Sequence, residues 1–270
     1  MKIAVRISDV WDQTVDVLRG RAEILAGLAT LTLILPGVLG AVIAGVAPPL
    51  TSLVRLATLI LLIFGMLAVT AVASDPAVDR PQALRIAARR LLPALGALLV
   101  LVLAAALLFV PAGMLLALSG ATMTAAGAID VSQAARGYTA GAGLAVLLAA
   151  VLGLWFSARI VPLFGVVVNE RRGFGALRRS MVLTRGATLR LIGVLILYFV
   201  VTSVTMLAAT SVVGVVARLA LGGDAVASVK FVVAVVTTLI SAGATVLQSV
   251  FYARFYVTAV THDQPTASLT

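Results

Sequence analysis

Six long stretches of apolar side chains most constrain how this chain can fold. They cover, approximately, residues 24–47, 52–73, 92–118, 141–168, 189–219 and 226–260. A helix needs about 20 apolar residues to cross the hydrocarbon core of a bilayer, and each stretch reaches that length. Only 11% of the residues are charged, whereas about 25% is usual for a soluble domain. We therefore predict an all-α integral membrane protein with six transmembrane helices in a single membrane domain, residues 1–270.

The 20 basic residues, which face only 10 acidic ones, are unevenly distributed between the two sides of these spans. One side carries Lys2, Arg6, Arg19, Arg21, Arg80, Arg85, Arg89, Arg90, Arg171, Arg172, Arg178, Arg179, Arg185 and Arg190. The other side carries Arg55, Arg136, Arg218 and Lys230. Because basic residues are enriched in cytoplasmic loops, we predict a multi-pass protein of the bacterial inner membrane with both termini cytoplasmic. The orientation of the protein in the membrane thus explains the net charge of +10, and no nucleic-acid partner is expected.

Three segments on the basic side have the residue spacing of amphipathic helices. They are residues 1–23, 80–92 and 171–188. Acidic residues in the first segment interrupt the apolar run that a cleavable signal peptide needs. In the third, Arg171, Arg178 and Arg185 recur every seven residues along one face. We predict that two or three of them are interfacial helices lying along the cytoplasmic membrane surface.

Similar segments recur at intervals of roughly 94 residues. Ala-Leu-Arg occurs at 83–85 and at 176–178, and the ends of the second and sixth spans, 69–75 and 257–263, agree at five of seven positions. Recurrence at a fixed period indicates repeated structural units. The predicted threefold pseudo-repeat has the units 1–75, 76–169 and 170–263, followed by a tail, 264–270. All three units point the same way across the membrane, unlike the inverted repeats of many transporters.

Two arginines lie within predicted spans, where a charged side chain is unfavourable. Arg159 precedes Asn169 by ten residues and Arg254 precedes His262 by eight, which places them about 15 and 12 Å inside a straight helix end. An arginine at that depth costs at least about 2.5–3.5 kcal/mol. They could bind a lipid phosphate or another anion through the guanidinium fork, or extend to the headgroups while holding helix ends. A protein partner would come from the boundary acids Asp75, Glu170 and Asp263.

Polar side chains follow one face of the sixth span and of the fifth. In the sixth span they are Thr238, Ser241, Thr245, Gln248, Tyr252 and Tyr256, and in the fifth they are Tyr198, Thr202 and Thr205. These stripes could line a polar groove for a headgroup or solute, or form hydrogen bonds between helices. Together with the arginines, they give the candidate lipid- or anion-binding residues Arg159, Arg254, Arg171, Arg178, Arg185, Gln248 and Tyr252.

The sequence offers little for catalysis. It has no cysteine and a single histidine, which disfavours thiolate chemistry and imidazole-rich metal sites. Paired carboxylates within a span, HExxH, GxSxG and phosphate-binding loops do not occur in it. We therefore expect a protein that is not an enzyme and that uses no metal or cofactor.

The region from the fourth span into the fifth carries a motif of about 40 residues. It runs Trp155-Phe156-Ser157-Ala158-Arg159, Pro162, Asn169-Glu170, Gly173, Ala176-Leu177-Arg178-Arg179-Ser180, Leu183-Thr184-Arg185-Gly186 and Arg190-Leu191-Ile192-Gly193. This motif resembles the membrane domain associated with bacterial glycerophosphoryl diester phosphodiesterases and its stand-alone six-helix relatives. Met181 and Leu189 stand where relatives often carry aromatic residues. The resemblance implies the fold of that anchor domain and does not imply phosphodiesterase activity, because the sequence contains no hydrolase domain.

The leading functional hypothesis is a non-enzymatic inner-membrane protein. Its arginine-rich interfacial helices would engage anionic phospholipid, a membrane-protein partner or a second copy of the chain. One alternative is a transporter or flippase for a small anion or lipid, which predicts a solvent-accessible cavity that reaches Arg159 and Arg254. Another is a membrane subunit of a larger complex, whose chemistry lies in a partner.

Overall fold

A computed structural model describes residues 6–46, 50–124, 129–130, 134–170, 175–222 and 225–263. Within these ranges the chain is almost entirely helical, and six helical stretches are long and apolar enough to cross a membrane. They are Ala22–Ile43, Thr51–Ser74, Arg80–Leu118, Arg136–Asn169, Thr188–Leu221 and Val226–His262. Each contains or overlaps one of the predicted stretches, so the prediction of a helical chain with six candidate spans is confirmed.

The first predicted span is a helix with a local change of winding. After α1, Ile7–Gly20, the chain forms α2, Ala22–Ala29, then a π-helical turn, Thr30–Ile34, and α3, Leu35–Val46. Pro36 is the second residue after the turn. A proline has no backbone N–H, and its ring crowds the carbonyl four residues earlier. The wider π-helical winding relieves that crowding while the helix continues.

The remaining elements follow in chain order. They are α4, Thr51–Ser74; α5, Arg80–Leu118; α6, Arg136–Arg159; α7, Leu163–Asn169; α8, Gly175–Leu183; α9, Thr188–Leu221; and α10, Val226–Asp263. Between α5 and α6, the short strands β1, Thr122–Met123, and β2, Ile129–Asp130, pair antiparallel.

The segment 80–92, predicted as a separate interfacial helix, instead forms the first turns of α5. That helix runs unbroken for 39 residues, about 58 Å at 1.5 Å per residue. The Asp79 carboxylate caps its start by accepting a hydrogen bond from the Gln82 N–H at 2.8 Å, and Pro81 suits the first helical turn. Because the hydrocarbon core is about 30 Å thick, a helix of this length extends beyond it.

The fourth predicted span, 141–168, is broken rather than continuous. α6 ends at Arg159 and α7 begins at Leu163, because Pro162 disfavours helical geometry in the residue before it. α6 alone is 24 residues long, about 36 Å, which is enough to cross a bilayer. Arg159 therefore ends a helix, and the depth of about 15 Å, which assumed a straight helix to Asn169, does not apply.

The core lies where α4, α7 and α10 contact one another. Leu67 of α4, Val166 of α7 and Phe255 of α10 are completely buried. Gly165 of α7 lies directly against the Tyr256 ring, where a Cβ atom would overlap it. By contrast, α9 is peripheral: the structure buries only Leu191 and Ala217 of its 34 residues. The three central helices thus position the helix ends from which the candidate site is built.

Candidate functional site

One end of the molecule, here called the basic end, gathers most of the arginines. It consists of α1, α8, the C-terminal ends of α4, α7 and α10, and the N-terminal ends of α5 and α9, and it is held by contacts such as that of Asn169 Nδ2 with Ser74 Oγ at 3.3 Å. Its exposed arginines are Arg6, Arg19, Arg80, Arg85, Arg89, Arg178, Arg185 and Arg190. The opposite end exposes Arg55, Arg136, Arg218 and Lys230. The uneven charge seen along the sequence is therefore also uneven in space.

Arg254 of α10 joins three elements at the basic end. Its Nε and Nη2 donate to Gln13 Oε1 of α1 at 3.2 and 2.9 Å, and its Nη1 donates to the Ala73 carbonyl of α4 at 3.3 Å. Thr258 Oγ1 lies 3.5 Å from the same Gln13 oxygen. Sequence reasoning missed Gln13, since it considered only acidic side chains as protein partners for an arginine within a span.

Arg159 is hydrogen-bonded to the C-terminal part of α8. Its Nη1 donates to the Met181 carbonyl of α8 at 2.9 Å, and its own carbonyl accepts from Ser180 Oγ at 2.8 Å. Its guanidinium carbon lies 4.9 Å from the centre of the Trp155 ring, a cation–π contact. Its Nε is buried and has no hydrogen-bond partner among the described residues.

A third arginine, Arg21, has the same kind of role and was not singled out from the sequence. Its Nη1 donates to the carbonyls of Val72 at 2.6 Å and Asp75 at 3.0 Å, and its Nη2 donates to that of Val78. The last carbonyls of a helix have no partner within it, and a cation there also interacts favourably with the helix dipole. Arg21 and Arg254 thus stabilise the C-terminal end of α4.

The residues of the 155–193 motif contact one another. Arg159 is linked to Ser180 and Met181 as described, and Glu170 Oε1 accepts from Arg179 Nε at 3.2 Å. Glu170 therefore pairs with Arg179 rather than with Arg159 or Arg254. At Gly186 the backbone takes a positive φ of 90°, which is unfavourable for other residues and turns the chain from α8 into α9. The motif therefore builds the corner between α6 and α9.

Two of the three predicted binding arginines of the third segment, 171–188, lie within the described residues. Arg178 of α8 and Arg185 after it are exposed, and neither forms an ion pair in the part of the chain that the structure describes. The same holds for Arg85 and Arg89 of α5. Arg171 lies outside the described residues.

Gln248 and Tyr252 line a groove between α9 and α10, roofed by α1. The groove has a volume of about 700 Å³, within the usual range for ligand pockets. Gln248 Nε2 donates to Tyr252 Oη at 2.7 Å, and Tyr198 and Thr202 line the α9 wall one helical turn apart. The polar stripes of the fifth and sixth spans therefore meet here in part. Arg159 and Arg254 do not line this groove.

Two other residues of the α10 stripe contact other helices. Thr238 lies against Gly37 of α3, where an added Cβ would come within 2.7 Å of its methyl group. Tyr256 donates to Glu170 Oε1 at 3.4 Å. These two positions fit the alternative in which stripe residues join helices.

Comparisons with models of protein families, with curated proteins and with solved structures find no match for this chain. Within the described ranges, no three His, Cys, Asp or Glu side chains lie close enough to hold a metal ion.

Proposed function

We propose that this is a non-enzymatic, multi-pass protein of the bacterial inner membrane that engages anionic phospholipid at its basic end. The observation that carries the proposal is the set of exposed arginines there, of which Arg85, Arg89, Arg178 and Arg185 form no ion pair with any described residue. In the same proposal the basic end is cytoplasmic.

Two groups of arginines at the basic end have different roles. Arg21, Arg159 and Arg254 are engaged with backbone carbonyls or with Gln13. Arg85, Arg89, Arg178 and Arg185 are exposed and form no ion pair with a described residue, so a phosphate could accept two parallel hydrogen bonds from each guanidinium. A basic residue near an anionic membrane surface contributes about 1 kcal/mol to the attraction.

The placement of α1 supports an interfacial position for this end. Val10 and Thr14 are completely buried, whereas Asp9, Asp12 and Asp16 are exposed. α1 packs on α10 beside Arg254, so a membrane surface at the level of α1 places this arginine in the headgroup region. In that position Arg254 would not lie deep in the hydrocarbon core, as a straight and fully embedded helix would require.

We also propose kinship with the membrane domain associated with glycerophosphoryl diester phosphodiesterases. In support, the polar motif residues that carry the resemblance are engaged with one another at the α6–α9 corner, as Arg159 with Ser180 and Glu170 with Arg179. Residues used in this way serve the fold, so the kinship concerns architecture and carries no hydrolase activity with it.

The proposal is tested with the variant R85Q/R89Q/R178Q/R185Q, reconstituted in nanodiscs of mixed phosphatidylglycerol and phosphatidylcholine. We expect its enrichment of phosphatidylglycerol, read by native mass spectrometry, to fall at least tenfold, because each of the four arginines contributes about 1 kcal/mol near an anionic surface and about 1.4 kcal/mol corresponds to a factor of ten. The matched control is R55Q/R136Q/R218Q at the opposite end, which we expect to retain the enrichment of the unchanged protein.

Equal phosphatidylglycerol enrichment in the two variants would reject lipid engagement by the exposed arginines. A membrane-protein partner or a second copy of the chain would then be the better occupant of the basic end. The transporter hypothesis is not advanced, because the groove does not include the two arginines on which that hypothesis depends.

A further inference from the structure

The groove between α9 and α10 has its own chemistry, distinct from that of the exposed arginines. We propose that it binds a single phospholipid of the leaflet at the basic end, with one acyl chain between the two helices. This inference rests on the proposed function only in that it places the basic end in a membrane leaflet.

The groove is open on the side of α9, the least buried of the candidate spans. Leu197 and Val201, which line it, are 64% and 55% exposed. An acyl chain could therefore enter sideways from the surrounding leaflet without any helix moving. On the opposite wall, α10 is anchored to α1 through Arg254 and Gln13, which keeps the groove preformed.

Polar groups occupy one layer of the groove, near the basic end. Tyr198 and Thr202 lie on one wall, and the hydrogen-bonded Gln248 and Tyr252 lie on the other. Since Tyr252 Oη accepts from Gln248, its own hydroxyl hydrogen can point to a ligand. Ester carbonyls are acceptors of the kind this layer can bind.

Beyond that layer, towards the opposite end, the lining becomes apolar. Ala244 and Ile240 of α10 form this part, and Thr205 of α9 is the polar residue beside them. The order along the α10 wall, polar and then apolar, is the order of an ester followed by its acyl chain. An acyl chain in this part of the groove exchanges contacts with mobile neighbouring lipids for close packing contacts with the protein.

Charge at the mouth of the groove completes the match to an anionic lipid. Arg190 precedes Val194, a lining residue, by four positions and so lies on the same face of α9 one turn nearer the basic end. Trp11 of α1 lies across the mouth, with its ring centre 6.5 Å from that of Phe251. Tryptophan is enriched at this level of a membrane, where the phosphate of the bound lipid would lie.

The test uses phosphatidylglycerol with a photoactivatable diazirine in one acyl chain. The full chain in detergent is incubated with this probe, loosely held lipid is removed by gel filtration, and the retained lipid is counted by native mass spectrometry and crosslinked. We expect one lipid per chain, with crosslinks in 194–205 and 240–252.

Two adjacent substitutions on α9 form the matched pair. Val201→Trp fills the groove, whereas Val200→Trp adds the same side chain at a neighbouring position that is 49% exposed and does not line it. We expect V201W to lose the retained lipid and V200W to keep it. Both sites are exposed, so neither substitution should prevent folding, which circular dichroism checks. Equal retention by the two variants, or crosslinks confined to other helices, would overturn the proposal.

Two further variants separate this inference from the proposed function. R85Q/R89Q/R178Q/R185Q should keep the groove lipid even where it loses phosphatidylglycerol enrichment, and loss of the groove lipid in that variant would contradict a separate site. Tyr252→Phe removes one hydroxyl without changing the ring, and we expect weaker retention at unchanged helicity. Retention equal to that of the unchanged protein would contradict binding of the lipid by the polar layer.

Discussion

At the scale of single residues, arginine at the basic end has two uses that composition does not distinguish. Arg21 and Arg254 donate to the carbonyls at the end of α4, and Arg159 donates to the Met181 carbonyl of α8. Such hydrogen bonds from a charged donor typically contribute about 1.5–3 kcal/mol. Arg178 and Arg185 are exposed instead. The difference follows from what lies within reach of each guanidinium.

The pairing of Arg254 with Gln13 gives a prediction at this scale. Arg254→Met keeps the apolar stem but removes every donor, and we expect the free energy of unfolding to fall by about 1.5–3 kcal/mol. Gln13→Leu leaves the guanidinium without its best acceptor, so it should also destabilise. The double variant should lose less than the sum of the two, because the variants remove one shared interaction.

Denaturant unfolding in detergent micelles measures these differences. Arg218→Met, at an exposed position of the opposite end, is the control and should have little effect. Strictly additive losses in the double variant would mean that the two side chains do not interact.

At the scale of elements, the break between α6 and α7 determines the shape of the core. It allows α7, only seven residues long, to insert between α4 and α10. Gly165 makes this possible, because its lack of a side chain lets the Tyr256 ring approach the α7 backbone. Hydropathy alone describes the segment as one long span, since it does not register where a helix bends.

Gly165→Ala tests this packing. A Cβ atom there would overlap the Tyr256 ring, and forcing extra volume into a packed core typically costs about 1–3 kcal/mol. We expect a lower apparent melting temperature in micelles.

The matched control is Gly153→Ala in α6, where nothing lies within 4 Å of an added Cβ. Alanine is favoured over glycine in a helix by about 1 kcal/mol, so G153A should be neutral or slightly stabilising. If both substitutions had the same effect, the close approach of α7 and α10 would be refuted.

At the scale of the whole molecule, the predicted repeat gives the arginine contacts a common pattern. Arg159 lies in the second predicted unit and binds Met181 in the third, and Arg254 lies in the third and binds Gln13 in the first. Each thus connects its own unit to the next, and the second contact joins the last unit to the first. The repeat itself stays a prediction.

Orientation is the prediction that belongs to this scale. Because the protein has no cysteine, single cysteines report their side of the membrane without background. Ala88 is exposed at the basic end and Gly137 is exposed at the opposite end, and each is replaced singly by cysteine, as A88C or G137C. With a membrane-impermeant maleimide and a permeabilised outer membrane, we expect intact cells to label G137C, and A88C only after lysis. Labelling of A88C in intact cells would reverse the proposed orientation.

The sequence by itself determined the number of candidate spans, their positions and the division of charge between the two ends. These properties depend on segments considered one at a time, because burial of apolar surface is non-directional and scales with area. The tertiary structure alone decided which groups meet. Gln13 and Arg254 are 241 positions apart, and the groove requires α1, α9 and α10 together. Such contacts depend on how helices of similar hydropathy pack and rotate against one another, which no local pattern of side chains specifies.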